Sequence, residues 1–443
     1  MPNPILPLWE YIPDGEPRVF GDRVYLYGSH DQPAGQSFCD HVLKVWSASV
    51  DDLNNWQCHG DSFRTRAGER PADTYWTDTQ LFAPDVVQGK DGKYYLYAYI
   101  VGSKGAIGVS DKPEGPFKLH SQYLYRSDDK VGDDGIFNDA GVLVDDDGKV
   151  YVYYGFTESN MNELDGKDMC TVVPGSYMRP VIEDGENAPW DERFFEASSP
   201  RKINGTYYMI YSPRHCSRLA YATSDSPRGP FKYRGYIVDN GVDYPGGNNH
   251  GSVACINGQW YVFYHRMTNN TIMSRRACVE KISILPDGTI PPVEMTSLGF
   301  EESLNPYQIT PADIACVLKG KCYITEKDAF ERVVSQITSG CVIGYKYFDF
   351  GEDYTGDSLT LSLSVRGMGT TCRVRVMIDD DQNGEEIGVC DVGTYDGVYQ
   401  TKVRNVTGRH AVYFVCEHTV EGWMADYFKE KPLFELKAFT FMK

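Results

Sequence analysis

One short pattern recurs five times within the first 290 residues: a turn glycine followed by an aromatic-rich strand. It reads FGDRVYLYGS around Gly21, KDGKYYLYAY around Gly92 and DDGKVYVYYG around Gly148. It returns as INGTYYMIYS around Gly205 and INGQWYVFYH around Gly258, with the glycines 71, 56, 57 and 53 residues apart. Each copy predicts a tight hairpin, because Asp-Gly or Asn-Gly precedes the alternating Tyr, Val and Leu in four of the five. A second repeat agrees with the first: SDKPEGPFK at Ser110 and SDSPRGPFK at Ser224 lie 114 residues apart, two repeat units. Units of roughly 50–70 residues hold four strands with their loops, and five such units close a ring. The expectation is an all-β chain whose residues 1–300 form a five-bladed β-propeller.

Beyond Pro291 the pattern stops. The segments SLTLSLSVRG, TCRVRVMID, GRHAVYFVCE and LFELKAFTFM alternate in their own way and predict a β-sandwich over residues 301–443. No Gly/Ser tract joins the two parts near Leu298 to Thr310, so they are expected to pack together.

A formal charge of -19 repels nucleic acid and anionic membranes, so neither is expected as a partner, although solubility alone also accounts for such a charge. The twelve cysteines mostly stand singly inside strand-like segments, without a Cys-x-x-Cys pair, which predicts reduced thiols. The opening MPNPILPLWEY has no basic and apolar leader pattern, and no apolar run approaches 18 residues. A cytoplasmic location without a membrane span is the corresponding expectation. Nothing in the sequence signals an oligomeric state.

The chemistry lies just upstream of the repeated glycines. Asp14 and Asp85 stand seven residues before theirs, Asp139 and Glu196 nine, and His250 eight. In a propeller the strand before the first hairpin turn borders the central channel, so the count places one ionisable side chain per blade near the axis. Carboxylates gathered in one funnel raise one another's pKa. Acetal hydrolysis needs that difference: one carboxyl group protonates the leaving oxygen while another activates water. Inverting enzymes hold such a pair roughly 6.5–9.5 Å apart.

The residues around these positions resemble glycoside hydrolase family 43, whose members are five-bladed propellers with an Asp, Asp, Glu trio. Asp14 in PDGEPRVFGD stands where the family's A-D-P-S segment carries the general base. Gly15-Glu16-Pro17 departs from that segment, and Glu16 is the fallback. Phe82-Ala83-Pro84-Asp85 is similar to W-A-P-D, and Asn138-Asp139-Ala140-Gly141 to the D-x-G segment of the pKa modulator. Phe194-Phe195-Glu196 looks like the F-F-E of the general acid. Asn248-Asn249-His250-Gly251-Ser252 resembles a segment whose histidine faces the channel and often holds a water or calcium, so Ca2+ at the axis is a possible ligand and no other cofactor is required.

The resemblance also implies an arginine on a late strand reaching the bound sugar, for which Arg275 is preferred over Arg276. Phe82 is expected to wall the sugar, Phe195 to dry the acid, and Asp85 to orient substrate or serve the structure. Tyr75, Trp76 and Trp46 are candidate stacking platforms, and His30 and Asp31 candidate rim residues. The run Asp379-Asp380-Asp381 reads as an exposed turn more than a calcium loop. The C-terminal part resembles family 6 carbohydrate-binding modules in GRHAVYFV and LFELKAFTF; with only Trp423 and Tyr427 as platform candidates, a structural role is preferred to glycan binding.

The implied reaction is inverting exo-hydrolysis of a terminal pentose or furanose, with Glu196 as acid, Asp14 as base and Asp139 as modulator. α-L-arabinofuranosidase is the leading activity, on oligosaccharides or plant-type polysaccharide side chains. β-D-xylosidase, galactofuranosidase and exo-β-1,3-galactanase are the alternatives within the family. A non-catalytic glycan-binding propeller and a propeller scaffold for proteins are the rivals outside it.

Overall fold

The repeated turns adopt the backbone their residues favour. Gly21, Gly92, Gly148, Gly205 and Gly258 all have φ between 62° and 85°, and Asn204 and Asn257 are also left-handed at 51° and 49°. Positive φ at both central residues is what a two-residue Asn-Gly hairpin requires, and it twists the flanking strands the right way. The computed structural model describes all residues except 34, 103–104, 123–137 and 184–187.

Five sheets follow one another along the chain. The first orders β1 (Glu16–Phe20), β2 (Arg23–Gly28), β3 (Val42–Ser49) and β4 (Asp52–Arg64). The second orders β5 (Leu81–Gln88), β6 (Tyr94–Ile100), β7 (Ala106–Ser110) and β8 (Lys118–Ser121). The third holds β9 (Gly141–Val144), β10 (Val150–Tyr154) and β11 (Asn160–Leu164), with single bridges from Met161 to Met178 and Leu164 to Val172. In the fourth, β12 (Ile182–Glu183) joins the outer edge of β13 (Phe194–Ile203), β14 (Thr206–Pro213), β15 (Arg218–Ser224) and β16 (Phe231–Asp239). The fifth comprises β17 (Ser252–Ile256), β18 (Gln259–Thr268) and β19 (Thr271–Ile282).

The N-terminus completes the fifth sheet and so ties the ring shut. Ile5 N–H donates to the Ala277 carbonyl at 3.0 Å, and the Asn3 side chain exchanges hydrogen bonds with the backbone of Val279 at 2.8 and 2.9 Å. Apolar faces pack between neighbouring sheets, as where Val87 and Tyr97 meet Val142 and Val152.

Two further sheets pack face to face as a sandwich. One orders Tyr323–Glu326, Arg332–Ile337, Phe434–Met442, Ser358–Gly367 and Gly397–Arg404, with Thr310–Pro311 added on Phe434–Met442. The other orders Val317–Lys319, Val342–Asp349, Arg409–His418, Cys372–Ile378 and Glu385–Val392. One continuous apolar core runs from Tyr208, Tyr221 and Val262 in the propeller to Leu361, Phe414 and Phe439 in the sandwich. Sandwich and propeller therefore pack together, as the absence of a flexible linker implied. Asp380 accepts the backbone N–H groups of Gln382 and Asn383, so the Asp379 run is a turn. All twelve cysteines are free, and among the described residues no helix is long and apolar enough to cross a membrane.

Candidate active site

The first regular pair of each inner hairpin gives the true register around the axis. These pairs are Glu16–Tyr27, Asp85–Tyr97, Gly141–Tyr153, Ser199–Ile210 and Ser252–Phe263. Two residues before each stand Asp14, Ala83, Asp139, Ala197 and His250. The first four are left-handed, with φ of 56°, 36°, 47° and 69°. A left-handed non-glycine costs about 1–3 kcal/mol and is held only where the surroundings demand it. Here the turn swings Asp14 and Asp139 into the mouth of the ring. At Ala197 it does the same for Glu196, which lies between two irregularities in the β13–β14 ladder.

Asp14, Asp139, Glu196 and His250 line one cavity of about 220 Å3, together with Arg275 and Phe82. Phe38, Cys39, Tyr99, Asn138, Phe156 and Asn248 complete its wall. Phe82 packs edge-on against Phe38 and Tyr99, with ring centroids 6.4 and 5.7 Å away. The wall thus offers one polar side and one aromatic side, the usual make-up of a small-molecule pocket.

The three carboxyl groups differ sharply. Asp14 is 5% exposed; its Oδ1 accepts Arg275 Nη1 at 2.8 Å and its Oδ2 accepts the Ser29 hydroxyl at 2.7 Å. Burial opposes its charge, but Arg275, the neighbouring histidines and the Ser29 hydroxyl together outweigh burial and bring its pKa down to about 2. Asp139 is pushed well above the carboxylate range by burial and by the Glu196 and Asp14 charges. Glu196 is pushed up to about 7 by burial and then by Asp14, with Arg275 opposing. Among the described residues no lysine or arginine forms an ion pair with Asp139 or Glu196.

His265 was not singled out from the sequence. Its Nε2–H reaches the Asn248 carbonyl at 2.9 Å, and its Nδ1 accepts the Asp14 backbone N–H at 3.2 Å. Those two bonds fix a neutral tautomer, in keeping with a pKa held down to about 3 by burial and Arg275. Its signal was its place in the fifth repeat, fifteen residues after His250, where its aromatic strand reads WYVFYH.

Several expectations are corrected. Asp85 does not line the cavity: Arg18 holds it through bonds of 2.9 and 2.6 Å, and it accepts Val142 N–H at 2.7 Å. Its count of seven misleads because the second hairpin has a five-residue loop where the first has two, so Asp85 matches Glu16, one turn deeper. Glu16, the fallback base, is taken by Arg201 and by the Ser199 hydroxyl at 2.8 Å. Glu16, Arg18, Asp85 and Arg201 together fill the axis beneath the cavity with balanced charge. Four predicted ionisable groups, not five, meet at the mouth.

Phe195 does not line the cavity either, since strand alternation turns it from Glu196; it packs on Phe156, 4.8 Å between centroids, and Phe156 forms the wall. Arg275 faces the site as preferred, whereas Arg276 points to the opposite face and pairs with Asp313 of the sandwich at 3.0 Å. Trp46 is buried, bonded to Glu10 at 3.0 Å, and is no platform. Tyr75 is exposed and Trp76 lies against it at 5.2 Å, both outside the cavity wall. His30 sits between Glu10 and Asp40, and Asp31 is fully buried behind Arg275 and not on the rim.

The protein side chains around His250 do not by themselves make a calcium shell. Calcium takes six to eight oxygen ligands, whereas His250 Nδ1 faces Asp14 at 3.8 Å and shares that carboxylate with the Arg275 guanidinium. Among the described residues no three His, Cys, Asp or Glu side chains converge as a metal site.

Comparison with known proteins agrees with this geometry. A xylosidase/arabinosidase of Thermoclostridium stercorarium is 37% identical over 93% of this chain and 95% of its own. A crystal structure of a family 43 arabinoxylan arabinofuranohydrolase from Bacillus subtilis, in complex with cellotetraose, matches 100% of this chain and 97% of its own. That match is at 25% identity with a TM-score of 0.54. A β-xylosidase/α-arabinofuranosidase from a compost metagenome, solved with xylotriose, matches 66% of this chain and 99% of its own, at 30% identity and TM-score 0.56. The model of the glycosyl hydrolases family 43 matches residues 1–290, and the chain is accordingly a glycoside hydrolase that belongs to that family.

Proposed function

We propose that the protein is an inverting exo-acting hydrolase that releases a terminal α-L-arabinofuranosyl residue. The observation that carries the mechanism is the opposed titration of two carboxyl groups facing one cavity, Asp14 down to about 2 and Glu196 up to about 7. Near neutral pH that pair supplies an ionised base and a protonated acid. Asp14, held by Arg275 and Ser29, takes the proton of an attacking water as its oxygen bonds to the anomeric carbon. Glu196 gives its proton to the leaving oxygen as the glycosidic bond breaks. Asp139, likewise pushed upward by burial and by the Glu196 and Asp14 charges, lines the same cavity and is the modulator that tunes and positions the acid.

The exo mode is supported by the charge cluster that fills the axis below the cavity, because a blind pocket admits a chain end or side branch. The sugar is supported by relatives named arabinoxylan arabinofuranohydrolase in Paenibacillus polymyxa and Bacillus subtilis, aligned over 90% and 91% of this chain. A β-D-xylosidase reading has its own support, since the Xylanibacter ruminicola relative bears that name at 31% identity. The substrate class is oligosaccharide or plant polysaccharide side chains.

The test uses nitrophenyl α-L-arabinofuranoside, β-D-xyloside and β-D-galactofuranoside with the wild type, Glu196→Ala and Asp14→Ala. Fastest turnover of the arabinofuranoside is expected, lost in Asp14→Ala, whereas Glu196→Ala is expected to lose turnover of an oligosaccharide with the same terminal sugar and to keep more of the aryl rate. Preference for the xyloside selects the second reading, and activity undiminished in both variants refutes the mechanism. Proton NMR of the first-formed anomer checks inversion.

A further inference from the structure

Asp31 is fully buried, and its side chain serves one cation. Its Oδ2 accepts Arg275 Nε at 2.8 Å and the Arg275 backbone N–H at 3.0 Å, while its Oδ1 accepts Arg275 Nη2 at 2.9 Å. Two further bonds fix Asp31: the Cys39 N–H donates to Oδ1 at 3.2 Å, and the Asp31 N–H donates to the Tyr11 carbonyl at 3.0 Å. This fork leaves Nη1 as the edge of Arg275 that reaches Asp14, and Phe38 covers the guanidinium face at 5.0 Å.

We propose that Asp31 is a positioning residue for the hydrolysis: it fixes the plane of Arg275 against Asp14 and shares its charge, so that Asp14 stays ionised without being neutralised. The proposal rests on the assignment of Asp14 and Glu196 above. A bidentate guanidinium–carboxylate fork adds geometric specificity to its strength. It also sets the charge balance of the site. One arginine between two carboxylates leaves a net negative charge, whereas one arginine on Asp14 alone leaves none.

The groups facing Arg275 are Asp14, Asp31, the Cys39 thiol, His250 and His265. Both histidines are neutral near pH 7, since burial, helped by Arg275, lowers each. Glu196 in turn feels Asp14 raising its pKa and Arg275 lowering it. With the Asp31 charge removed, the pull of Arg275 on Glu196 is no longer offset. The acid then loses its proton at lower pH.

Asp31→Asn and Asp31→Glu, made in the full chain, test this on an oligosaccharide that ends in the sugar whose aryl glycoside the wild type turns over fastest. For Asp31→Asn, kcat is expected to fall by about tenfold or more, with the alkaline limb of the pH profile moved to lower pH. Asp31→Glu keeps the charge one methylene out of place; it is expected to restore the wild-type limb and to recover only part of kcat. A residue that only supports folding would lower the active fraction and leave the limb where it is. That outcome overturns the proposal, as does wild-type kcat in Asp31→Asn. If Asp31→Asn does not fold, Asp31→Glu decides: reduced kcat with the wild-type limb supports the proposal, and unchanged kcat overturns it. An inert Asp31 beside an inactive Glu196→Ala refutes this inference alone, whereas an active Glu196→Ala refutes the reading beneath it.

Discussion

If Glu196 donates the proton, the reaction must die as pH rises through the pKa of that one carboxyl group. With that value at about 7, roughly half the molecules carry the proton at pH 7, roughly one in ten at pH 8 and roughly one in a hundred at pH 9. kcat/KM on an oligosaccharide should therefore fall roughly ninetyfold between pH 6 and pH 9. The opposite limb has no counterpart in the working range, because Asp14, held to about 2 by Arg275, stays ionised throughout. The profile should be a plateau with a single descending edge. Leaving-group chemistry sharpens the test. A sugar alkoxide needs the proton, whereas a nitrophenolate needs it much less, so the edge should be shallow on the aryl substrate. In Glu196→Gln the oligosaccharide rate should fall about 10²–10⁴-fold, the aryl rate much less, and the edge should vanish from both. Initial rates from pH 4 to 9 on both substrates measure this. An edge that persists in Glu196→Gln, or identical wild-type curves on the two substrates, would refute the assignment.

Other outcomes follow from named contacts. Arg275→Met leaves Asp14 and Asp31 buried together without their cation; it should cost about 3–5 kcal/mol in urea unfolding and abolish turnover. Asp313→Ala strands the buried Arg276 between propeller and sandwich and should destabilise by a similar amount, about 3–5 kcal/mol, with kcat unchanged in the fraction that remains folded. Phe156 stands 55% exposed over Phe195 at the cavity wall, so Phe156→Ala should raise KM several-fold with a smaller change in stability; an unchanged KM would remove Phe156 from the sugar site. Asp14 also links stability to acid. Its folded pKa lies below its unfolded value near 3.8, so its contribution is complete above that value and is lost as pH falls through about 2. By that shift the loss is about 2.5 kcal/mol, and Asp14→Asn should flatten this part of the acid-unfolding curve.

The propeller was legible because its repeat is local: a hairpin turn and an alternating strand are decided within about ten residues, and five copies fix the ring. Asp139 and Glu196 were legible for the same reason, each lying at a constant offset from its turn. Arg275 and Arg276 were separable in principle by strand alternation, but which face meets the channel depends on the sandwich that buries Arg276. Phe195 was misplaced by one step of that alternation. Asp31 and His265 stand in local patterns, after the first strand pair and at the end of the fifth aromatic strand, but what they do is set by partners 244 and 251 residues away in sequence.

The error over Asp85 shows what separates a structural carboxylate from a reacting one in such a ring. Counting back from the turn ignores loop length, so it put Asp85 level with Asp14 when the ladder puts it level with Glu16. Identity could not have corrected this, since all three are acidic residues at or near inner strands. Charge partners do correct it. Asp85, Glu16, Asp31 and Asp14 each hold an arginine drawn from elsewhere in the ring. Those pairs compensate for burial, and all four join residues at least 67 positions apart in sequence. Glu196 and Asp139 are the acids at the cavity with no such pair among the described residues, and their proton affinity rises in consequence. Burial without a paired cation is what turns a carboxylate into an acid. Placing an arginine on the wall that Glu196 shares, for example by Phe156→Arg, should therefore bring its pKa down and draw the alkaline edge of the pH profile downward. An edge that stays near pH 7 in a folded Phe156→Arg protein would show that something other than charge balance sets the acid.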